Sequence, residues 1–290
     1  MKVTGFSIIR NAVKYDYPIV EAIKSILPIC DEFVIGIGQS EDDTIGLIES
    51  INSPKIKIIH TVWDDNLRTG GLVLSDETNK AFKAIEADTD WCFYIQGDEV
   101  IHEQYHDVIR AGMEQHLHDK HVDGLLFKYL HFYGSYDYVG SSTRWYPHEI
   151  RIIRNNKSIY SYKDAQGFRK GDDQKLNVKL LDAYVYHYGW VKDPRAMQRK
   201  QENFHKMWHD DAWLESNVIK ADAFDYAGDI DELAKFKGTH PVVMQERINR
   251  INWQFDYDIS YNKRSLKTKF KKFAEDVIGI SMSYKNYKLI

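Results

Sequence analysis

The sequence predicts an α/β fold with a mostly parallel sheet and a helical C-terminal extension. Three observations carry this expectation. Short runs of β-branched and aromatic residues alternate with helix-like stretches through the first half of the chain, the pattern of right-handed βαβ units. One run, Trp91-Cys92-Phe93-Tyr94-Ile95, passes abruptly into Gln96-Gly97-Asp98-Glu99, as a buried strand does where it delivers polar groups to the carboxyl edge of an open sheet. After Lys192-Asp193-Pro194 the strand pattern stops and charged, aromatic stretches follow. The expected organisation is a domain of residues 1–190 and a helical extension of residues 191–290.

The elements follow in order. Residues 3–9 form an apolar strand that Arg10-Asn11 ends, and Pro18 is preset for the first turn of a helix reaching residue 27. Residues 33–37 are a second strand, Gly38-Gln39-Ser40-Glu41-Asp42-Asp43 a loop, and 44–51 a short helix broken by Ser53-Pro54. A third strand spans 56–59. After a polar loop at 63–70, a helix over 72–87 has Leu72, Ala81, Ala84 and Ile85 among its apolar positions. The run at 91–95 follows, then a helix over 102–118 with Val108, Ile109 and Met113 inward. Residues 122–130 alternate as a strand, 131–147 read as a loop rich in Tyr, Gly and Ser, and 149–154 alternate again. The last strand is 183–188, and Pro194 opens a helix through residue 208. There is no internal repeat and no low-complexity tract.

Composition narrows the class. Lys and Arg number 39 against 43 Asp and Glu, a net charge of −4, which argues against a nucleic-acid partner. Cys30 and Cys92 each lie in an apolar run and read as small buried hydrophobes of a reducing compartment. The N-terminus lacks an apolar signal segment, and no run reaches the roughly 18 apolar residues of a membrane span; a cytoplasmic protein is expected. Lys263, Arg264, Lys267, Lys269, Lys271 and Lys272 precede Phe273, Val277 and Ile278. This stretch reads as a solvated helix face, with peripheral contact to an anionic membrane as the second reading.

Several residue groups point to chemistry. Asp98 and Glu99 are hard oxygen donors at a strand end, suited to Mg²⁺ or Mn²⁺ carrying a phosphate group, or else the charged start of a helix. Glu99 reads as a supporting or capping group behind Asp98. His187, in His187-Tyr188-Gly189-Trp190, is a metal ligand or a buried hydrogen-bonding histidine. Asn11 lines a pocket or caps a turn. A rival signal is His102-Glu103-Gln104-Tyr105-His106, the H-E-x-x-H spacing of a zinc metallopeptidase, with Glu103 as base and Glu149 among scattered third ligands. Gly36-Ile37-Gly38 is not a dinucleotide fingerprint, because position 41 is Glu.

Three blocks taken together resemble the family 2-like glycosyltransferases. They are Phe6-Ser7-Ile8-Ile9-Arg10-Asn11 with the helix after it, Ser40-Glu41-Asp42-Asp43-Thr44, and Thr78-Asn79-Lys80-Ala81 leading to Ile95-Gln96-Gly97-Asp98-Glu99. The likeness covers about residues 3–130, and His187-Tyr188-Gly189 is similar to a late strand end that completes the metal site in such enzymes. It implies a GT-A fold, a Rossmann-like mixed sheet. It also implies inverting transfer of a sugar from a UDP- or GDP-linked donor to a glycan or lipid-linked acceptor, in cell-envelope glycan synthesis. Mn²⁺ or Mg²⁺ would be held by Asp98 and His187. Asn11, Asn79, Gln96 and Asp98 would bind the nucleotide-sugar. Asp164 is the candidate base, with Asp172 or Asp173 as alternatives, and Arg144, Trp145 and His148 would shape the acceptor side. Three positions depart from the pattern: Gln96 replaces the first acid of the signature, Ile37-Gly38 replaces an acidic pair, and Thr78 replaces an arginine. The alternative they suggest is a catalytically silent relative that binds nucleotide-sugars or glycans.

Overall fold

A computed structural model describes residues 1–209, 211–217, 221–228, 230, 232–261 and 285–290. The order is β1 (Val3–Ile9), α1 (Ile19–Ile26), β2 (Glu32–Gly38), α2 (Thr44–Glu49), β3 (Ile56–Thr61), α3 (Leu72–Lys83), β4 (Trp91–Tyr94) and β5 (Glu99–Ile101). Next come α4 (His106–Gln115), β6 (Gly124–Tyr133), β7 (Tyr138–Gly140), β8 (His148–Arg154), β9 (Ile159–Tyr162), β10 (Gly167–Lys170), β11 (Gln174–Lys175) and β12 (Asn177–Trp190). The remainder holds α5 (Pro194–Lys206), α6 (Asp211–Asn217), β13 (Leu233–Lys235), α7 (Gln245–Asn249) and β14 (Lys288–Leu289).

The fold is α/β, built on one mixed sheet. Its path runs β13-β7-β6-β8-β4-β1-β2-β3, with β12 pairing to β5, β6 and β14. β4, β1, β2 and β3 are mutually parallel where they pair, as the βαβ alternation predicts. β8 enters antiparallel to both β4 and β6, and β12 lies parallel to β6 and antiparallel to β5. β1, β2 and β4 are buried on both faces, which is why they read as continuous apolar runs. One face is covered by α1 and α4, where Ile23, Ile26, Ile109 and Met113 pack against Phe93 and Phe127. On α1 the buried residues Ile19, Ala22, Ile23 and Ile26 recur at helical spacing. The other face is covered by α3, with Phe82 against Phe6, Tyr94 and Phe168. Cys30 and Cys92 are free and buried.

The structure corrects several elements. The helix expected from residue 102 begins at His106; a single 3₁₀ turn, Glu103–Tyr105, precedes it, capped by the His102 ring. β5 occupies residues 99–101, where no element was expected between the run at 91–95 and the helix. The loop expected over 131–147 contains β7 and the end of β6, which runs on through Tyr133 paired to β12. β12 begins at Asn177, six residues before the expected 183; a register shift between Leu180 and Tyr184 breaks its period-two pattern. β9, β10 and β11 form a small separate sheet that was not expected. Among the described residues no helix is long and apolar enough to cross a membrane. The basic stretch from Lys263 to Lys272, with Phe273, Val277 and Ile278, lies outside the described residues.

Candidate functional site

At the carboxyl ends of β1, β3 and β4 the surface opens into a cavity of about 940 Å³. Asn11, Gln96, Asp98, Asp164 and His187 all line it, so the fold gathers five of the six sequence-predicted site residues. Asn79 is the exception. Its side chain accepts the amide of Ser161 at 2.7 Å and donates to the Ser161 carbonyl at 3.3 Å, fastening α3 to β9 away from the cavity wall. Arg144 lines the cavity, whereas Trp145 and His148 do not, and Asp173 pairs with Arg169 at the far end of β10.

Each residue is placed by local chemistry. Asn11 takes a left-handed φ of 54°, which asparagine tolerates better than most residues. Its Oδ1 accepts the Glu41 amide at 2.7 Å, and its own amide donates to Ser40 Oγ at 3.0 Å, joining the end of β1 to the 40–44 loop. The turn after β4 is held by Glu99, which is fully buried and accepts the Gln96 amide at 3.1 Å. Glu99 is itself gripped by Arg151, whose Nε and Nη2 donate at 2.8 and 2.7 Å, and by Tyr129 Oη at 2.7 Å. Glu99 is therefore the support of this turn, and Asp98 is the carboxylate that lines the cavity. The Gln96 side chain donates to the Ala165 carbonyl at 3.2 Å, tying the Asp98 turn to the Asp164 turn.

Asp164 sits between Lys163 and Ala165, both in left-handed backbone conformations of 54° and 61°. Such strain persists only where surrounding contacts impose it. The turn presses against Gly71, the φ +71° cap of α3: a Cβ there would lie 2.9 Å from Asp164 Cβ. Burial raises the basicity of the Asp164 carboxylate above the ordinary range, against the opposing hydrogen bonds from its own and the Gln166 amides.

Asp98 meets a cluster of nitrogen groups from β12 and α5. Lys200 Nζ stands 3.0 Å from Asp98 Oδ2 and donates to the Gly189 carbonyl at 2.9 Å. His187 Nε2 is 3.8 Å from Asp98 Oδ1. Burial pushes the Asp98 carboxyl up, but the charges of Lys200, His187 and Lys192 reverse this and hold it far below the usual range. Lys192 is fully buried, donates to the Asp16 carbonyl, and is pushed down to about 7 by burial and by Lys200. The Lys192 and Lys200 ammonium groups lie 4.7 and 5.1 Å from the centre of the Tyr17 ring. The cluster thus sets two amines and an imidazole beside one carboxylate, nitrogen groups suited to the oxygens of an anionic ligand.

The donor set also fits a divalent cation. His187 Nε2 and Asp98 converge on the space beside Gly189, where an added Cβ would lie 2.6 Å from Nε2 and 2.8 Å from Asp98 Oδ2. Only glycine leaves that gap. Among the described residues no group of three or more His, Cys, Asp or Glu could hold a metal, so a cation here would need oxygen atoms from its ligand to complete its shell. The zinc-peptidase arrangement is not formed. His102 Nε2 pairs with Thr239 Oγ1 at 2.9 Å and His106 Nε2 with the Ser25 carbonyl at 2.7 Å, and a 3₁₀ turn, not an α-helix, separates the two residues.

The sequence reading missed three residues of this site. His131 was assigned to a loop, and its place on β6 is set by pairing with His187 of β12, distant in sequence. Lys192 and Lys200 carried no local signal: Lys200 reaches Asp98 from α5 across 102 positions, and Lys192, between β12 and α5, donates to the Asp16 carbonyl.

No protein-family model matches the chain. Its sequence is 24% identical over 193 residues to a protein of Rickettsia felis named an uncharacterized glycosyltransferase, covering 64% of this chain and 62% of that protein. A Rickettsia prowazekii protein of the same description is 22% identical over 192 residues, covering 64% and 60%. The chain therefore spans less than two thirds of the length of these curated relatives. Among solved structures, Staphylococcus aureus TarS in complex with UDP aligns with a TM-score of 0.43 and 18% identity, covering 77% of this chain and 68% of that one. Glucosyl-3-phosphoglycerate synthase from Mycobacterium tuberculosis, in complex with Mn²⁺, UDP and phosphoglyceric acid, aligns with a TM-score of 0.31 and 15% identity over 45% and 43%. In sequence, the chain is thus similar to proteins named glycosyltransferases.

Proposed function

We propose that the protein transfers a sugar from a nucleoside-diphosphate donor to a glycan or lipid-linked hydroxyl, with inversion at the anomeric carbon. The observation that carries the reading is the pairing of the Asp98–Lys200–His187 cluster with Asp164 in a single cavity. The cluster suits a diphosphate, and a raised carboxylate is suited to accept a proton. The volume of about 940 Å³ accommodates a nucleotide-sugar together with part of an acceptor.

In this reading Lys200 faces the diphosphate and offsets the charge that builds on it as the sugar leaves. Asp164 takes the proton of the acceptor hydroxyl. The acceptor oxygen forms its bond to the anomeric carbon while the bond from that carbon to the phosphate oxygen breaks, so both electrons of the broken bond leave on the diphosphate. A divalent cation held by Asp98 and His187 would supply further charge neutralisation for the same leaving group. Asn11 and Gln96 border the donor, and Arg144 and Tyr146 the opposite wall. The proposed transferase domain is residues 1–190. The extension of residues 191–290 contributes α5, and with it Lys200. A cytoplasmic enzyme acting on envelope glycans is the setting this implies, with the basic stretch at 263–272 as the segment to reach an anionic membrane.

The test is turnover of UDP- and GDP-sugars, read as release of nucleoside diphosphate and as labelled product on added glycans. Transfer that Asp164→Asn suppresses while nucleotide still binds supports the proposal. Nucleotide binding with no turnover on any acceptor would identify a silent relative instead.

A further inference from the structure

We infer that His131 is a positioning residue that locks His187 into one tautomer and so aims the His187 Nε2 lone pair at the gap beside Asp98. This deepens the proposed function, since it rests on His187 and Asp98 forming the cation side of that site.

The argument is one of proton placement. His131 Nε2 lies 2.8 Å from the Tyr146 carbonyl oxygen. A carbonyl accepts only, so this nitrogen carries the proton. The other ring nitrogen, Nδ1, then holds a lone pair. It lies 3.0 Å from His187 Nδ1. Two imidazole nitrogens at that distance form a hydrogen bond only if one donates, and the donor is His187 Nδ1. The His187 Nε2 atom is left as the lone-pair bearer, 3.8 Å from Asp98 Oδ1 and facing the space that Gly189 keeps free. A ligating histidine is oriented in this way, by a hydrogen bond at its other nitrogen.

The His131 ring is fixed for this task. It is buried, at 3% exposure. Its ring centre is 5.3 Å from Tyr129 and 5.1 Å from Trp145, stacked on both at interplanar angles of 27° and 28°, and Tyr146 meets it edge-on at 4.4 Å. His131 and His187 are also register partners on the parallel strands β6 and β12. Strand pairing and stacking thus set the ring position, and the Tyr146 carbonyl sets the proton.

The experiment is long-range ¹H–¹⁵N NMR of the full chain with labelled histidine, the His187 signals being identified by their loss in His187→Gln. The expected result is an unprotonated, pyridine-type Nε2 and a protonated Nδ1 on His187. His131→Phe keeps the stacking but removes the acceptor, and should release His187 to the opposite tautomer or a mixture. His131→Asn offers an acceptor oxygen and should retain the wild-type tautomer. Mn²⁺ affinity, read by electron paramagnetic resonance of free Mn²⁺, should fall about 10- to 100-fold in His131→Phe and recover in His131→Asn. A protonated His187 Nε2 in the wild type overturns the inference, as does a tautomer unmoved in His131→Phe. If His131→Phe fails to fold, the wild-type tautomer and His131→Asn still decide. Failure of the proposed function would show separately, as absence of nucleotide binding in calorimetry while the tautomer result stands.

Discussion

Lys200 Nζ rests 3.0 Å from Asp98 Oδ2, which places a cation from α5 on the acid that ends the central parallel strand. The two residues are separated by 102 positions in sequence, and both side chains are 12% exposed. Asp98 is held well below the ordinary carboxylate range, so the pair contributes stability above that range, and the contribution disappears only as pH falls through the depressed value. The Asp98 carboxylate is therefore ionised throughout the neutral range.

Removing this ammonium has two consequences. Lys200→Met leaves Asp98 buried without its cation and should destabilise the chain by about 3 kcal/mol in urea unfolding. It should also weaken nucleoside-diphosphate binding about tenfold, or ~1.4 kcal/mol, in titration calorimetry. Unchanged affinity would separate Lys200 from the ligand.

Asp164→Asn should reduce sugar transfer on the order of a thousandfold with little change in donor affinity, because a proton acceptor acts on the reaction and not on donor binding. The comparison of kcat with KM for the donor checks this. A loss confined to KM would assign Asp164 to binding.

The Glu99–Arg151 pair is a structural demand of the same turn. Both side chains are at most 1% exposed and meet through two donors. Arg151→Lys replaces a fork with one ammonium and should lower stability by about 3 kcal/mol. A loss under about 0.5 kcal/mol would fall within the range of ordinary surface changes and would mean that the fork is not needed.

Glu149 provides a pH test of the interior. Burial, opposed by Arg151 and reinforced by Asp164 and Glu99, raises its carboxyl from 4.5 to about 8, and among the described residues its Oε2 has no hydrogen-bond partner. Between those values the folded chain holds a proton that the unfolded chain releases, so this group makes stability fall as pH rises through the window. Glu149→Gln stays neutral at every pH. It should match the wild type near pH 5 and exceed it by roughly 3 kcal/mol near pH 9. Parallel stability curves for the two proteins would contradict the assignment.

The parts legible in sequence were those set by local patterns. The runs at 3–9, 33–37 and 91–95 are strands because they are buried on both faces, and their alternation with α1, α2 and α3 gave the parallel half of the sheet. Asp98 stood out at the edge of such a run. His187 followed from its strand end, although β12 itself starts earlier, behind the irregularity at 180–184 that masks its period. Asn79 looked like a site residue by its place in a motif, yet its amide is engaged by Ser161. What stayed hidden depends on contacts distant in sequence. Lys192 read as part of the boundary before Pro194, Lys200 as one position of a charged, aromatic helix, and Arg151 as one polar position in an alternating strand. His131 read as loop because an aromatic, glycine-rich segment follows it without a break in composition.

The most direct measurement is titration calorimetry of UDP and GDP into the full chain, with and without Mn²⁺, repeated in Asp98→Ala. The account predicts that one nucleoside diphosphate binds, that Mn²⁺ tightens it, and that Asp98→Ala removes the Mn²⁺ effect. At a hundredfold excess over its dissociation constant, that ligand should also stabilise the fold by about 2.7 kcal/mol. Absence of binding by either nucleotide, with and without the cation, would contradict the assignment of the Asp98–Lys200–His187 cluster to a diphosphate.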